Sequence, residues 1–309
     1  MRYVEFGQAR QKSSQIMLGL MRIDKMSAAE VGDFIRGALD LGVNALDIAD
    51  VYGLGKCEEL LGEVFAGSPG LRNSFFLQSK TGIRKDPDLT WFDFSREHIL
   101  EGVDAILSRL KTDHLDSLLL HRPDALMEPQ EIAEAFLKLY REGKVLDFGV
   151  SNFNPIMMDT LQQYVNFPIA TNQVQLSCAF TPAFDAGFWV NTQHEHGVMR
   201  DGGVFEYCRH NEIVIQAWSV MQYGYFEGVF LNSPKYAALN AKLKEIADIY
   251  HTTPTAVAMA WILRYPARMQ AVIGTTKLER VRESAAACEF ELTRRQWYEI
   301  YAAAGNTLP

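Results

Sequence analysis

Short apolar runs recur along the chain, and each ends at or near a polar, aromatic or glycine residue. Helical patterns separate most of these runs, so the order is strand, helix, strand, helix. Parallel strands that alternate with helices predict an α/β protein with a (β/α)8 TIM barrel, whose active site lies at the carboxyl ends of the strands. The runs are 43–46 before Asp47, 75–77 before Lys80, 118–120 before His121, 148–150 before Ser151, 169–174 containing Gln173, 213–217 before Trp218, and 271–273 before Gly274.

Several predicted helices have clear capping signals. Ser27 and Glu30 form a capping box before apolar residues at helical spacing, and Gly42 ends that segment. Thr253 followed by Pro254 marks another start, because proline is favoured in the first helical turn. The helices number more than eight, so we expect two or three extra helices outside the barrel repeat. One further predicted helix begins at Ser95, and another begins at Thr293, whose capping partner is Gln296. The remaining predicted helices cover about 57–66, 129–142, 154–164, 236–250 and 277–288.

Residues 1–309 are expected to form a single domain with an N-terminal β-hairpin. Residues 2–8 and 15–20 resemble short strands around 7–12, which predicts a hairpin and the first barrel strand. No linker rich in Pro, Gly or Ser divides the chain, and α/β barrels reach this length as one domain.

Composition narrows the classes of partner. With 30 basic and 38 acidic residues the formal net charge is −8, and no cluster of Lys and Arg indicates nucleic acid or membrane binding. No segment has the pattern of a signal peptide or the length of a membrane span, so we expect a cytoplasmic protein. The four cysteines lie far apart, which favours free thiols over disulfides or a metal site.

Four reactive side chains are predicted to meet at one rim of the barrel. A phenol has a pKa of about 10 in water, and a lysine ammonium beside it lowers that value. An aspartate holds the lysine charged, and a histidine can hydrogen-bond a substrate oxygen, so the group suits proton delivery to a carbonyl oxygen. Each residue alone has a structural interpretation, but their joint placement favours catalysis. The four are Asp47, Tyr52, Lys80 and His121.

A metal-dependent barrel hydrolase is a second enzyme interpretation, with Asp47, Asp50 and His121 as ligands. It is disfavoured because only one strand-end histidine is available for the metal. Residues 53–56 superficially suggest a phosphate loop, but they lack the Walker spacing and are interpreted as the turn after Tyr52.

Motifs along almost the whole chain closely resemble the signatures of the aldo/keto reductase superfamily. The chain is most similar to the shorter bacterial oxidoreductases of that superfamily. The segments that carry the resemblance are LDIADVYGLGKCEELLG (46–62), FLQSKTGI (76–83), LDSLLLHRPD (115–124), KVLDFGVSNF (144–153), ATNQVQLS (170–177), TPTAVAMAWILRYP (253–266) and VIGTTKLERVRES (272–284).

The resemblance implies a barrel that binds NADPH or NADP⁺ without a Rossmann domain. It implies that Asp47, Tyr52, Lys80 and His121 are the catalytic tetrad, with Tyr52 as the general acid. Trp218 matches an aromatic residue that stacks on the nicotinamide ring. The positions that match carboxamide contacts are Ser151, Asn152 and Gln173; those near the first strand end are Gly19, Leu20 and Met21; those on the pyrophosphate side are Ser219, Val220 and Met221.

A segment near the C-terminus resembles the site of the 2′-phosphate. A strand end that leads into a helix N-terminus favours an anion, and basic side chains there add charge. Ser284 stands where relatives usually have Asn, so a hydroxyl replaces the amide that would contact adenine. The phosphate positions are Gly274, Thr275, Thr276, Lys277 and Arg280, and the adenine positions are Glu283 and Ser284.

The leading functional interpretation is NADPH-dependent reduction of an aldehyde or ketone to an alcohol. A cofactor-binding regulatory or redox-sensing subunit with little turnover is the alternative. We expect a small-molecule carbonyl substrate and a monomer or weak homo-oligomer. Residues 84–94, 179–203 and 222–233 are expected to set specificity; aromatic residues within 221–230 fit either the core or the lip of the pocket. Trp91 and Tyr223 are the substrate-binding candidates.

Overall fold

Eight parallel strands close into a barrel in a computed structural model, which describes residues 1–8 and 10–309. Each barrel strand pairs with the next one along the chain, and the last pairs with the first. The predicted TIM barrel is therefore confirmed. Its strands are β3 (Ile16–Gly19), β4 (Ala45–Asp47), β5 (Phe76–Thr81), β8 (Leu115–Leu120), β9 (Val145–Ser151), β10 (Thr171–Gln175), β11 (Val214–Trp218) and β12 (Met269–Ile273).

The strand register places polar side chains at one level near the carboxyl ends. Asp47 on β4 lies opposite Gln78 on β5, and Gln173 on β10 lies opposite both Ser151 on β9 and Gln216 on β11. Residues at one level of a barrel contribute to a shared layer. The interior below the cavity is therefore polar at this level.

Two antiparallel hairpins lie outside the barrel. The N-terminal hairpin, β1 (Tyr3–Phe6) and β2 (Gln11–Ser14), is confirmed, and the ring of Phe6 packs 4.7 Å from that of Phe76. Part of its second arm lies within residues 7–12, which were expected to form the turn. The second hairpin, β6 (Ile83–Lys85) and β7 (Thr90–Phe92), has no pattern that predicts it, because its arms are short and largely exposed.

Eleven helices lie around the barrel in residues 1–8 and 10–309, three more than the number of barrel strands, in agreement with the expected two or three extra helices. The caps formed by Ser27, Thr253 and Thr293 are present as predicted. No helix in the described part of the chain is long and apolar enough to cross a membrane. The helices are α1 (Ala28–Asp40), α2 (Lys56–Ala66), α3 (Arg96–Leu110), α4 (Pro129–Arg141), α5 (Pro155–Gln162), α6 (Pro182–Phe188), α7 (Val204–His210), α8 (Ala237–Ile249), α9 (Pro254–Leu263), α10 (Leu278–Ala285) and α11 (Arg294–Ala303).

Candidate active site

A cavity of about 1440 Å³ opens at the carboxyl ends of the barrel strands. Most of the residues singled out in the sequence form its wall. Leu20 and Lys80 are instead fully buried behind that wall, and Thr276 is exposed outside it. The wall includes Gly19, Met21, Asp47, Tyr52, His121, Ser151, Asn152, Gln173, Trp218, Ser219, Val220, Met221, Gly274, Thr275, Lys277, Arg280, Glu283 and Ser284.

A buried lysine joins the aspartate and the tyrosine at the floor of the cavity. The ammonium of Lys80 donates to Asp47 Oδ2 at 2.7 Å and to the carbonyl of Ile48 at 3.0 Å. It also donates to the phenolic oxygen of Tyr52 at 3.3 Å. The adjacent strands β4 and β5 supply Asp47 and Lys80, and the turn after β4 returns Tyr52 to them.

Burial and charge act in opposite directions on the phenol. Burial raises the pKa of Tyr52, while the positive charge of Lys80 lowers it, and the net direction is upward. From the sequence we expected the pKa of Tyr52 to be lowered, because that expectation took no account of the burial of the ring. The pKa of Lys80 is lowered by burial but raised more by Asp47 and Tyr52, so the ammonium stays charged. Tyr52 is therefore a protonated donor beside a permanent cation.

His121 faces the tyrosine across the cavity floor. The two rings meet edge to face, with centroids 5.7 Å apart. Burial lowers the pKa of His121 well below its usual value, and the charges of Lys80, Arg122 and Lys85 lower it further. The imidazole is therefore neutral near pH 7. A neutral imidazole carries one N–H, which can donate to a substrate oxygen.

Two amide side chains hold the other oxygen of Asp47, and only one of them, that of Gln173, was singled out from the sequence. Gln78 and Gln173 both donate to Asp47 Oδ1, at 2.7 and 3.0 Å. Gln216 accepts from both of these amides and donates to Gln78 and to Gln270. All four glutamines are buried, so they form a polar network inside the barrel. The resemblance pointed to Gln173, while Gln216 and Gln270 had as their sequence signal only a polar residue within an otherwise apolar strand.

Ser151, Asn152 and Trp218 are joined by hydrogen bonds on the opposite side of the cavity. Asn152 donates to the hydroxyl of Ser151 at 2.7 Å and accepts from the indole N–H of Trp218 at 3.1 Å. The hydroxyl of Ser151 donates to the carbonyl of Gln173 at 3.0 Å. Asn152 has φ +61°, a left-handed conformation that Asn tolerates better than most residues. This arrangement fixes the plane of the indole.

Basic side chains gather at the far end, where β12 leads into α10. Lys277 and Arg280 are exposed on the cavity wall at the start of this helix. Arg22 donates to the carbonyl of Gly274 at 3.3 Å. The hydroxyl of Ser284 donates back to the carbonyl of Arg280 at 2.8 Å, so it is already engaged within its helix. This end of the cavity can accept an anion.

The two substrate-binding candidates lie outside the cavity wall. Trp91 donates its indole N–H to Asp86 at 2.7 Å, and Tyr223 lies beneath the ammonium of Lys235, 4.3 Å from the ring centre. Successive residues of a strand face opposite sides, so the neighbours of Trp91 in β7 face the cavity instead. The wall contains Thr90, Phe92, Tyr225 and Phe226 from the same two loops.

Sequence reasoning also missed three cations on the wall, Arg22, Lys85 and Arg122. Arg122 directly follows His121 at the end of β8, so its position along the chain was a usable signal. Lys85 lies in the second hairpin, for which no sequence pattern was found. In the described residues, no group of three or more His, Cys, Asp or Glu side chains is arranged to hold a metal ion.

Comparisons with known proteins place these features in a family. The model of the aldo/keto reductase family matches residues 15–304. The oxidoreductase YdhF of Escherichia coli (strain K12) is 35% identical over 94% of this chain and 93% of its own length. A 6-dehydroglucose reductase of Agrobacterium fabrum is 33% identical, with 94% of each chain covered.

A solved structure shares the fold. The aldo-keto reductase from Klebsiella pneumoniae in complex with NADPH has a TM-score of 0.73 at 23% identity, covering 97% of this chain and 93% of its own. The family match extends from the first barrel strand to beyond the last one. The chain belongs to the aldo/keto reductase family.

Proposed function

We propose that this protein reduces an aldehyde or ketone to an alcohol with NADPH, and that Tyr52 is the general acid. The contact of one buried ammonium, that of Lys80, with both Asp47 and Tyr52 is the observation that carries the proposal. In this assignment Asp47 holds the ammonium of Lys80 beside the phenol of Tyr52, and His121 orients the carbonyl oxygen of the substrate.

The cavity fits a dinucleotide in size and in the chemistry of its two ends. Its volume of about 1440 Å³ extends from Tyr52 to the basic side chains of Lys277 and Arg280. The amide nitrogen of Gln173 is engaged with Asp47 and Gln216, so its oxygen is the group left to accept from a carboxamide. A solved relative of the same fold holds NADPH. These features support NADPH as the cofactor.

The proposed assignments divide the wall into regions. The indole of Trp218 would stack on the nicotinamide, and Ser151, Asn152 and Gln173 would hold its carboxamide. Lys277 and Arg280 would bind the 2′-phosphate. The remaining cofactor positions are Gly19, Met21, Ser219, Val220, Met221, Gly274, Thr275, Glu283 and Ser284, all on the wall.

The residues of the chain account for the proton. NADPH, when bound, supplies the hydride that the carbonyl carbon receives. His121 aligns the carbonyl oxygen, and Tyr52 donates its phenolic proton to that oxygen as the C–O bond becomes single. The Lys80 ammonium stabilises the phenolate that remains, because a positive charge lies 3.3 Å from that oxygen. Water at the open mouth then returns a proton to Tyr52.

The test is Tyr52→Phe, which removes the proton donor and retains the ring. We expect kcat on 4-nitrobenzaldehyde to fall by about 10²–10⁴-fold, the usual contribution of general acid catalysis. NADPH binding, measured by calorimetry, should be unchanged. Tyr140→Phe on α4 is the control, because it removes a phenol far from the cavity.

Near wild-type turnover by Tyr52→Phe would show that Tyr52 is not the acid. If the wild-type protein binds NADPH but reduces none of a panel of aldehydes and ketones, the alternative of a cofactor-binding regulatory subunit is favoured instead.

A further inference from the structure

Two cations on the catalytic side of the cavity have no acidic partner. Arg122 and Lys85 both line the cavity, and neither forms an ion pair with any residue that the structure describes. By contrast Arg84, the neighbour of Lys85, pairs with Asp93 at 3.0 Å. The positive charges of Arg122 and Lys85 are thus free to meet a ligand.

These cations are distinct from those proposed to bind the cofactor phosphate. Arg122 follows β8, which lies diametrically opposite β12 in the closed barrel, and Lys277 follows β12. The carboxylates on the wall do not neutralise the catalytic side: Asp47 is paired with Lys80, and Glu279 and Glu283 lie in α10 at the other end.

Other acidic groups close to the two cations along the chain are already engaged. Asp86, the residue after Lys85, accepts from the indole of Trp91 at 2.7 Å. Asp124 accepts from the backbone N–H groups of Phe94 and Leu126 at 3.1 and 2.8 Å. Neither carboxylate is paired with Arg122 or Lys85, so both cations on the wall lack a contacting counter-ion among the described residues.

Aromatic side chains surround the charged site. The guanidinium carbon of Arg122 lies 5.3 Å from the ring centre of Trp218 and 5.6 Å from that of Tyr225. The two aromatic rings thus restrict the position of the guanidinium, while its N–H groups stay available to donate to a ligand. Phe92 and Phe226 on the wall are 39% and 53% exposed, which is a large apolar surface for side chains of this type.

The two charges also lie close to the reacting group. Arg122 directly follows His121 along the chain, and both cations line the same cavity as Tyr52 and His121. Their charges accordingly contribute, after burial and Lys80, to the lowered pKa of His121. A carbonyl between Tyr52 and His121 would therefore have these cations within reach of the rest of its molecule.

We propose that the substrate is a carbonyl compound with an anionic group, a carboxylate or a phosphate monoester, which Arg122 and Lys85 bind. This inference rests on the proposed function. Arginine presents planar paired donors that match the oxygens of both groups, and the flexible lysine adds a point charge.

The experiment compares matched aldehydes at saturating NADPH. One pair is 4-carboxybenzaldehyde and its neutral methyl ester; the other is D-glyceraldehyde 3-phosphate and D-glyceraldehyde. We expect kcat/KM to be at least about 10-fold higher for the anionic member of one pair, since a charge-assisted hydrogen bond is worth about one order of magnitude or more. The preferred pair identifies a carboxylate or a phosphate.

Variants test whether these two residues cause the preference. Arg122→Gln and Lys85→Gln should each reduce the ratio of the two kcat/KM values, and the double variant should bring it to about 1. The kcat/KM values for the neutral aldehydes should fall much less than those for the anionic aldehydes. Lys244→Gln, which removes an exposed lysine on α8 that pairs with Asp248, should leave the ratio unchanged.

Two results would overturn the inference: a wild-type ratio near 1 for both pairs, or a high ratio that survives in the double variant. If no aldehyde is reduced at all, the proposed function fails separately. Binding to the protein with NADP⁺ is then compared within two pairs, 4-(hydroxymethyl)benzoate with its methyl ester and glycerol 3-phosphate with glycerol. A preference for the anionic member of either pair that the double variant lacks supports the site, and equal binding within both pairs refutes it.

Discussion

Asp47 is held by three donors, and only one of them is charged. Lys80 binds one carboxylate oxygen, while the amides of Gln78 and Gln173 bind the other. Gln216 accepts from both amides, so it fixes the orientation of each. The position of the charged pair therefore depends on a residue that does not contact it.

Gln216→Leu should lower the free energy of unfolding and reduce kcat. The substitution leaves the amide oxygens of Gln78 and Gln270 without a donor, and a buried unsatisfied polar group costs about 1–3 kcal/mol. Urea denaturation measures the stability. Ser117→Ala on β8 is the matched control, because the buried Ser117 hydroxyl has no hydrogen-bond partner among the described residues. Equal stability of the two variants would contradict the structural importance of the amide network.

The reactive residues were predictable because they lie at or just after the ends of apolar runs, but Gln78, Gln216 and Gln270 were not. Tyr52 and Lys80 stand out against the sequence around them, and the structure brings them within 3.3 Å. Gln78 and Gln216 lie within strands, where an isolated polar residue commonly faces solvent. Only closure of the barrel turns both of them inward.

At the scale of elements, α2 and α3 approach each other closely at a glycine. A Cβ atom at Gly62 would overlap the carbonyl oxygen of Arg109. The backbone of α3 cannot move away without disturbing Leu110, which is fully buried. The missing side chain at Gly62 therefore sets the distance between these two helices.

Gly62→Ala should destabilise the protein by about 1–3 kcal/mol, the usual cost of overpacking, although alanine is the better helix former. Gly32→Ala in α1 is the control. Its Cβ would lie 3.0 Å from the Nη1 atom of Arg36, the far end of a flexible side chain. We expect it to be neutral or stabilising in thermal unfolding. A Gly62→Ala variant as stable as Gly32→Ala would show that the helices can separate freely.

Elements with periodic patterns and caps were predictable, and short ones were not. The capping boxes at Ser27 and Thr293 mark α1 and α11 at the expected residues. The helices α6 and α7 have only seven residues each, too few for two helical periods, and the hairpin strands β6 and β7 have three each. Contacts with the rest of the protein, not local sequence, stabilise such short elements.

For the whole molecule, buried carboxyl groups set part of the pH dependence of stability. Burial raises the pKa of Asp50 to about 6, although Thr81 donates to its carboxylate. In the unfolded chain the pKa is about 3.9. Between about pH 4 and pH 6 the folded state binds more protons than the unfolded state, so the contribution of Asp50 to stability falls as pH rises.

Asp50→Asn should therefore be more stable than the wild type at pH 8, by about 1–3 kcal/mol, and the difference should shrink towards pH 4. Chemical denaturation across this range measures it. Asp93→Asn should instead be less stable than the wild type at pH 8, and this difference should also shrink towards low pH. Burial raises the pKa of Asp93, but hydrogen bonds from Ser95 and Arg84 outweigh burial, and the net pKa is lowered. A constant difference between Asp50→Asn and wild type at all pH values would contradict the assignment.

Pairing between the first and last barrel strands has a consequence for synthesis of the protein. Ile16 on β3 lies opposite Ala271 on β12, so the barrel cannot close until the ribosome has added residues 269–273. At about 5–20 residues per second, β3 waits roughly 10–50 s for its partner. During that time its edge is open to pairing with other nascent chains, which makes this strand the point where a delay in translation favours aggregation.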